Sequence, residues 1–433
     1  MPRKRDRRTA TAGSNRLVRS CPENRNPRTG DLASPARSIA SLFFFSLSLI
    51  LLPVVSLLVY RSLYDPYTDT SLSVYERGLV KPDIAYQEIL NENSKASANA
   101  TRREFLYPVL AYVTPWNSKG YEMAKRFSSK LTHLSPVWYE LKSEGANLVL
   151  EGRHNADSGW ISDIRANGKS LVLPRVVLEM PPAQLLAKKQ HQDKAIEHIV
   201  TECKDMGYDG IVLESWSRWA AYGVLHDPNT RHLALRFIKR LAHALHSTSS
   251  SSDTNRHLQL VYVIPAPRSE DLKEYDFGPQ DLQQLMDDVD GFSLMTYDYS
   301  GPQSPGPNAP LKWIRSCLQL LLGDTEDVSR SRAHKVFLGI NFYGNDFMLS
   351  GSGGGAITGR DYLSVLEKHK PKLQWEEKSA EHYFIYSENK IKHAVFYPSL
   401  MSISVRLDEV RAWGAGLSIW EIGQGLDYFF DLL

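Results

Sequence analysis

The sequence predicts an α/β fold: a (β/α)8 TIM barrel with a small insertion between its seventh and eighth strands, preceded by a single transmembrane helix. Three observations predict it. From about Phe105 onward, short apolar runs alternate with helix-length segments, the pattern of repeated βαβ units and a parallel sheet. The runs number eight, the strand count of a closed parallel barrel. Ahead of them lies a stretch of 22 residues without a charge, from Ile39 to Tyr60, and about 20 apolar residues span a bilayer.

The expected barrel strands are Val109–Val113, 131–138, 171–178, Gly210–Glu214, 258–264, 291–296, 336–340 and Gly416–Trp420. Helical stretches such as 193–206 and 230–246 separate them. The serine run 247–252 reads as a loop before the fifth strand. The connection from strand seven to strand eight is longer than one helix needs. Its apolar pieces 383–386 and 394–397 flank Ser387-Glu388-Asn389-Lys390, which predicts an inserted β-hairpin at the cleft end of the barrel.

The domain organisation follows from composition. Residues 1–38 hold ten Arg or Lys against three acids, a net +7; the whole chain is +2, so the remainder is −5. Without apolar periodicity, residues 1–38 read as a disordered, basic cytoplasmic tail. Residues 39–60 read as a signal anchor, and the basic excess before them predicts a type II orientation with a lumenal or extracellular body. Cleavage of this segment as a signal peptide is the alternative. Residues 61–104 read as a polar lumenal stalk, in which Asn99-Ala100-Thr101 is an N-glycosylation acceptor at Asn99. Residues 105–433 are the barrel. The mildly acidic body excludes a nucleic-acid surface, which needs a basic face. Cys203 and Cys317 fall on separate expected helices and read as buried free thiols.

Four strand-end motifs carry a resemblance. Strand four reads Asp209-Gly210-Ile211-Val212-Leu213-Glu214-Ser215-Trp216, strand six ends Met295-Thr296-Tyr297-Asp298, strand seven runs Leu338-Gly339-Ile340-Asn341-Phe342-Tyr343-Gly344, and strand eight is Gly416-Leu417-Ser418-Ile419-Trp420. In this order the chain resembles glycoside hydrolase family 18, the chitinase family, from Leu106 to its C-terminus. The resemblance implies a sugar cleft at the C-terminal strand ends. It implies substrate-assisted chemistry, in which the sugar's own acetamido group attacks and no protein nucleophile is required. It gives Tyr297 the acetamido carbonyl to hold, Asp298 the sugar to orient, and Trp420 the apolar floor.

The family writes strand four as Asp-Gly-x-Asp-x-Asp-x-Glu. Here Val212 fills the second acidic position, Glu214 the third, and Trp216 the place of the proton donor. A tryptophan cannot protonate a glycosidic oxygen, and the general acid is worth roughly 10²–10⁴ in rate. Glu214 and Asp209 therefore stand as vestigial motif positions, with no confident catalytic residue. Alternation along the strand predicts that residues 212, 214 and 216 share the inner face. On that expectation Trp216 joins Tyr297, Asp298, Trp420, Tyr112 and Tyr343 as a saccharide-binding residue. Trp116, Trp138, Tyr139 and Trp219 are further candidates for the cleft or the core. The histidines show no ligand spacing, so no metal is expected, and no cofactor. The glycines at 351 and 353–355 lack a nucleotide-loop context and read as a loop over the cleft.

The sequence thus predicts a protein that grips N-acetylglucosamine-containing oligosaccharides of the chitin type without cutting them. The alternatives are an active glycosidase using Glu214 or another acid, and a protein-interaction scaffold with a vestigial cleft.

Overall fold

The computed structural model describes residues 51–56, 72–95, 100–145, 147–250, 253, 255–323, 331–351 and 353–433. The chain divides into a unit at residues 1–66 and a compact unit at 67–433. In the first, residues 51–56 are helical. Among the described residues, no helix is long and apolar enough to cross a membrane. The rest of the 39–60 segment lies outside the described residues, as do the basic tail and Asn99.

The second unit is an eight-stranded parallel barrel. Its strands are Val109–Val113, His133–Glu144, the pair Leu171–Val172 and Arg175–Leu178, Gly210–Glu214, Gln259–Pro265, Gly291–Met295, Val336–Asn341 and Gly416–Trp420. The pairing runs in order around the barrel, and the first strand closes it by pairing with both the eighth and the second. Strand three is broken at Leu173-Pro174, where proline has no N–H to give the ladder. Strand two outruns its expected length and folds back through an antiparallel hairpin with Asn147–Glu151.

The long crossover helices Lys189–Met206 and Pro228–His246 carry apolar side chains on their barrel faces. The second starts on an Asp227 cap, whose carboxylate accepts from Thr230 N, with Pro228 in the first turn. Cys203 and Cys317 are buried free thiols in this layer. Burial pushes the Cys317 thiol up to about 12, which keeps it unreactive.

Two expectations of organisation change. The insertion between strands seven and eight is a five-stranded antiparallel sheet. The expected hairpin is its centre, Glu381–Glu388 and Ile391–Phe396. Asn389 and Lys390 both take positive φ in the two-residue turn, as a tight hairpin requires. Gly344–Met348, Gly354–Ile357 and Gln374–Glu376 complete the sheet. The glycine run therefore leads into a strand rather than forming a loop over the cleft. The expected stalk also differs: residues 72–95 pack on the barrel. Val74, Ile84 and Ile89 are buried in the main core. Arg77 bridges Glu92 and Asp431, and His382 Nε2 lies 2.9 Å from the Pro82 carbonyl.

Candidate functional site

Alternation sends every second side chain of each strand into the barrel. Leu110, Tyr112, Val212, Val263 and Phe337 fill that interior, and Trp420 and Met295 pack partly buried on it. Two motif glycines are explained by contact. At Gly210, with φ +145°, a Cβ would stand 2.1 Å from the Gln259 carbonyl. At Gly339 it would stand 2.3 Å from the Leu294 carbonyl and 3.0 Å from the Tyr297 ring, so only glycine lets Tyr297 settle over strand seven.

At the C-terminal mouth, Glu214 closes strand four and forms an ion pair with Arg175 of strand three; each side chain is only 14% exposed. The Arg175 guanidinium carbon lies 5.2 Å from the centre of the Trp420 ring. Tyr112 approaches Trp420 from strand one, with ring centres 5.2 Å apart. Its hydroxyl donates to Ser293 Oγ at 2.8 Å. Burial pushes the hydroxyls of Tyr112 and Tyr297 above their ordinary range, so both remain protonated donors.

A groove of about 530 Å³ opens beside Trp420, a size suited to a small ligand. Trp116, Glu140, Arg175, Glu179 and Arg218 are among its lining residues. Trp116 is 63% exposed. The pairing irregularity between Val137 and Tyr139 resets strand two, beyond which Glu140 and Lys142 line the groove. The groove's carboxylates are matched to cations: Glu179 to Arg218, and Glu140 and Glu151 to Lys142 at 2.5 and 3.0 Å.

Asp298 adopts φ +60°, an uncommon conformation for which aspartate is better suited than most residues. Asn308 Oδ1 accepts from its N–H at 2.7 Å, Arg268 donates to its carbonyl at 2.7 Å, and the Tyr343 hydroxyl donates to its carboxylate. Asn308 is fixed in turn: its N–H and that of Ala309 donate to Glu381 of the inserted sheet at 3.0 and 2.6 Å. Glu381 pairs with the buried Arg406. The insertion thus sets the backbone at the site.

Several expected site residues lie elsewhere. Trp216 does not face the barrel interior. Strand four ends at Glu214, Ser215 turns the chain, and Trp216 opens the helix Trp216–Ala221. The alternation rule stops with the strand. Trp216 is fully buried in the outer core, edge-on to Phe277 at 4.9 Å, with its indole N–H donating to the Tyr275 carbonyl at 2.9 Å. It is not a cleft residue. Trp219 is likewise buried there. Tyr343 is 4% exposed and acts on the site through Asp298. Asp209 sits at the opposite barrel mouth, where its carboxylate accepts from Val172 N and Ser250 Oγ, both at 2.9 Å. Glu421 points away from the cleft and is fully buried. Burial pushes its carboxyl up to about 7, against the opposing pull of Gly423 N, Asn117 and Lys119.

Sequence reasoning missed Arg175, Glu179, Arg218, Asn308, Glu381 and Arg406. Arg175 had a signal: it is the one charge within the otherwise apolar 171–178 run, and such a charge calls for a partner. The others are joined only by tertiary structure. So is a group away from the cleft, His246, His257 and Asp290, whose potential ligand atoms lie within 4.8 Å of one another. Sequence spacing, from which no metal was expected, does not reveal it.

The fold and the cleft define a (β/α)8 barrel with an aromatic, ion-paired groove at its C-terminal mouth. A family model described as glycosyl hydrolases family 18 matches residues 183–425, more than half of the chain, and the chain belongs to that family. The cortical fragment-lytic enzyme of Bacillus subtilis (strain 168) is 27% identical over 146 residues; the match spans about a third of each protein, 31% of this chain and 32% of that relative. A chitinase from Chromobacterium violaceum ATCC 12472 has a similar structure, with TM-score 0.61 and 20% identity over 75% of this chain and 98% of that one. A family 18 chitinase from Cycas revoluta, solved in complex with (GlcNAc)4, superposes with TM-score 0.60 and 14% identity, covering 75% of this chain and 97% of that one. These structural likenesses establish the fold.

Proposed function

We propose that this protein binds N-acetylglucosamine-containing oligosaccharides of the chitin type and does not hydrolyse them. The observation that carries the reading is the pairing of the cleft carboxylates: Glu214 with Arg175, Glu179 with Arg218, and Glu140 and Glu151 with Lys142. A general acid must present a proton to the leaving oxygen. A carboxylate engaged by a cation accepts hydrogen bonds instead. Trp420 supplies an apolar face, Trp116 an exposed aromatic, and Arg175 and Arg218 donors for sugar hydroxyls. On this reading Tyr297 holds an acetamido carbonyl and Asp298 orients the sugar, the roles the family resemblance implies.

The same reading places the chain in the branch of family 18 that contains chitinase domain-containing protein 1. The supporting segments are Tyr112-Val113-Thr114-Pro115-Trp116-Asn117, 291–300, 305–310 and 420–430. It also carries a type II anchor at residues 39–60, a lumenal or extracellular barrel and a glycan at Asn99, all argued from sequence alone.

The test is a calorimetric titration of the full chain with chitin oligomers of increasing length, with reducing ends assayed in the same samples. Saturable heat that grows with length, without new reducing ends, is expected. Sustained turnover that Glu214→Gln abolishes would replace this reading with the glycosidase. No heat at any length would remove the chitin-type ligand.

A further inference from the structure

The base of the barrel carries a ligand set with no part in the sugar cleft. His246 ends the helix Pro228–His246, His257 stands two residues before the fifth strand, and Asp290 one residue before the sixth. His246 Nε2 lies 2.9 Å from Asp290 Oδ2, and His257 Nε2 lies 3.2 Å from Asp290 Oδ1. The two imidazole rings are 4.4 Å apart at their centres. Two imidazole nitrogens therefore converge on one carboxylate.

The carboxylate is held independently of the histidines. Asp290 Oδ2 accepts the Leu260 N–H at 2.7 Å, and the Asp290 N–H donates to the Leu260 carbonyl at 2.9 Å. His257 is placed by an isolated antiparallel bridge to Ser249, and Leu258 N donates to the Thr248 carbonyl at 3.0 Å. The backbone thus sets both the carboxylate and the second histidine. Supporting hydrogen bonds of this kind orient metal ligands in proteins.

We infer that His246, His257 and Asp290 form a binding site for a divalent transition metal of the zinc class, which clamps the base of the barrel. The donor set decides the class. Two imidazoles and one carboxylate suit zinc and its neighbours, with water in the fourth position. Calcium and magnesium favour all-oxygen sets. Metal–ligand bonds of about 2.0–2.2 Å in a tetrahedron separate the donor atoms by roughly 3.3 Å. The present imidazole–carboxylate separations, 2.9 and 3.2 Å, fall a little short of that value, so small side-chain rotations that open them admit the ion. Each neutral imidazole then carries its proton on Nδ1 and turns the Nε2 lone pair to the metal.

The position gives the site its role. Catalytic groups of such barrels gather at the other mouth, and the base is where stability is built. His246 and His257 flank residues 247–256 in the chain. A metal there ties a helix end and the starts of strands five and six at one point. The effect is on unfolding, not on saccharide affinity.

The experiment uses tag-free full-length protein, stripped with a chelator and titrated with zinc alone, with calcium and magnesium as controls. One equivalent of zinc should bind and raise the thermal midpoint, and neither control should. Cobalt in its place should give the visible absorption of a tetrahedral ion. His257→Ala, at an exposed ring, should weaken zinc binding by about 100-fold, the upper end of what loss of a mere supporting partner costs, and remove the thermal shift. His257→Gln provides a second variant that keeps a side-chain amide to donate to Asp290. The proposal is overturned if the stripped protein binds no zinc saturably, or if zinc binding and the thermal shift persist in either properly folded variant.

Discussion

Arg175 and Glu214 offer the sharpest test of how this cleft is held. Their side chains are 14% exposed and in direct ionic contact, and Arg175 also lies over Trp420. At an effective dielectric of 20, opposite charges about 4 Å apart attract by about 4 kcal/mol. Desolvation offsets much of that, so the pair's net contribution is small, while removal of one partner strands the other charge. We expect Arg175→Ala or Glu214→Ala alone to lower unfolding stability by about 2–4 kcal/mol, and the double variant to lose clearly less than the sum, with a coupling of about 1–3 kcal/mol. Urea denaturation of the four proteins measures this. Arg175→Ala should also weaken saccharide binding more than Glu214→Ala does, because the Arg175 guanidinium lies over the Trp420 ring. Single effects that add to within about 0.5 kcal/mol would refute the coupling. Equal, negligible effects of both on binding would refute the cleft role.

Glu421 predicts a pH dependence. Its folded carboxyl titrates at about 7 against an ordinary 4.5, so the folded state holds its proton more tightly and stability from this group falls as pH rises from 4.5 through 7. The loss is about 3 kcal/mol at a full shift; Glu421→Gln should flatten this part of the profile, and an unchanged urea midpoint difference between pH 5 and pH 8 would contradict it. Trp216→Glu would restore the family's residue type at that motif position but bury a carboxylate beside Phe277. It should cost about 3–5 kcal/mol without creating hydrolysis, as denaturation and a reducing-end assay would show. Ile89→Ala should cost about 2–4 kcal/mol because the side chain is 5% exposed in the core, whereas a free stalk would give no change in midpoint.

The barrel was legible because parallel strands buried on both faces must be written as apolar runs. Gly416–Trp420 and Gly210–Glu214 therefore appear in the sequence with the bounds they have in the structure. The inserted sheet was legible only at its hairpin. Gly354–Ile357 alternates between exposed and half-buried residues and carries no apolar signature. Residues 72–95 were misread for a related reason. Three core side chains, Val74, Ile84 and Ile89, are too widely spaced to register as an apolar pattern.

The strand-four motif shows where position and geometry part. A motif read by alternation assumes that the strand continues, and at Ser215 it does not. Trp216 therefore supplies no sugar platform; it locks the outer core, and Arg231 lies 5.0 Å from its ring. The departure from the family pattern has a structural consequence: the residue in that place anchors the chain as it leaves the cleft. Glu214 remains as the inward carboxylate, but Arg175 claims it. The cleft therefore presents charge-paired carboxylates beside an aromatic face, and on the binding reading a carboxylate must be unpaired, not merely inserted, before it can act as a proton donor.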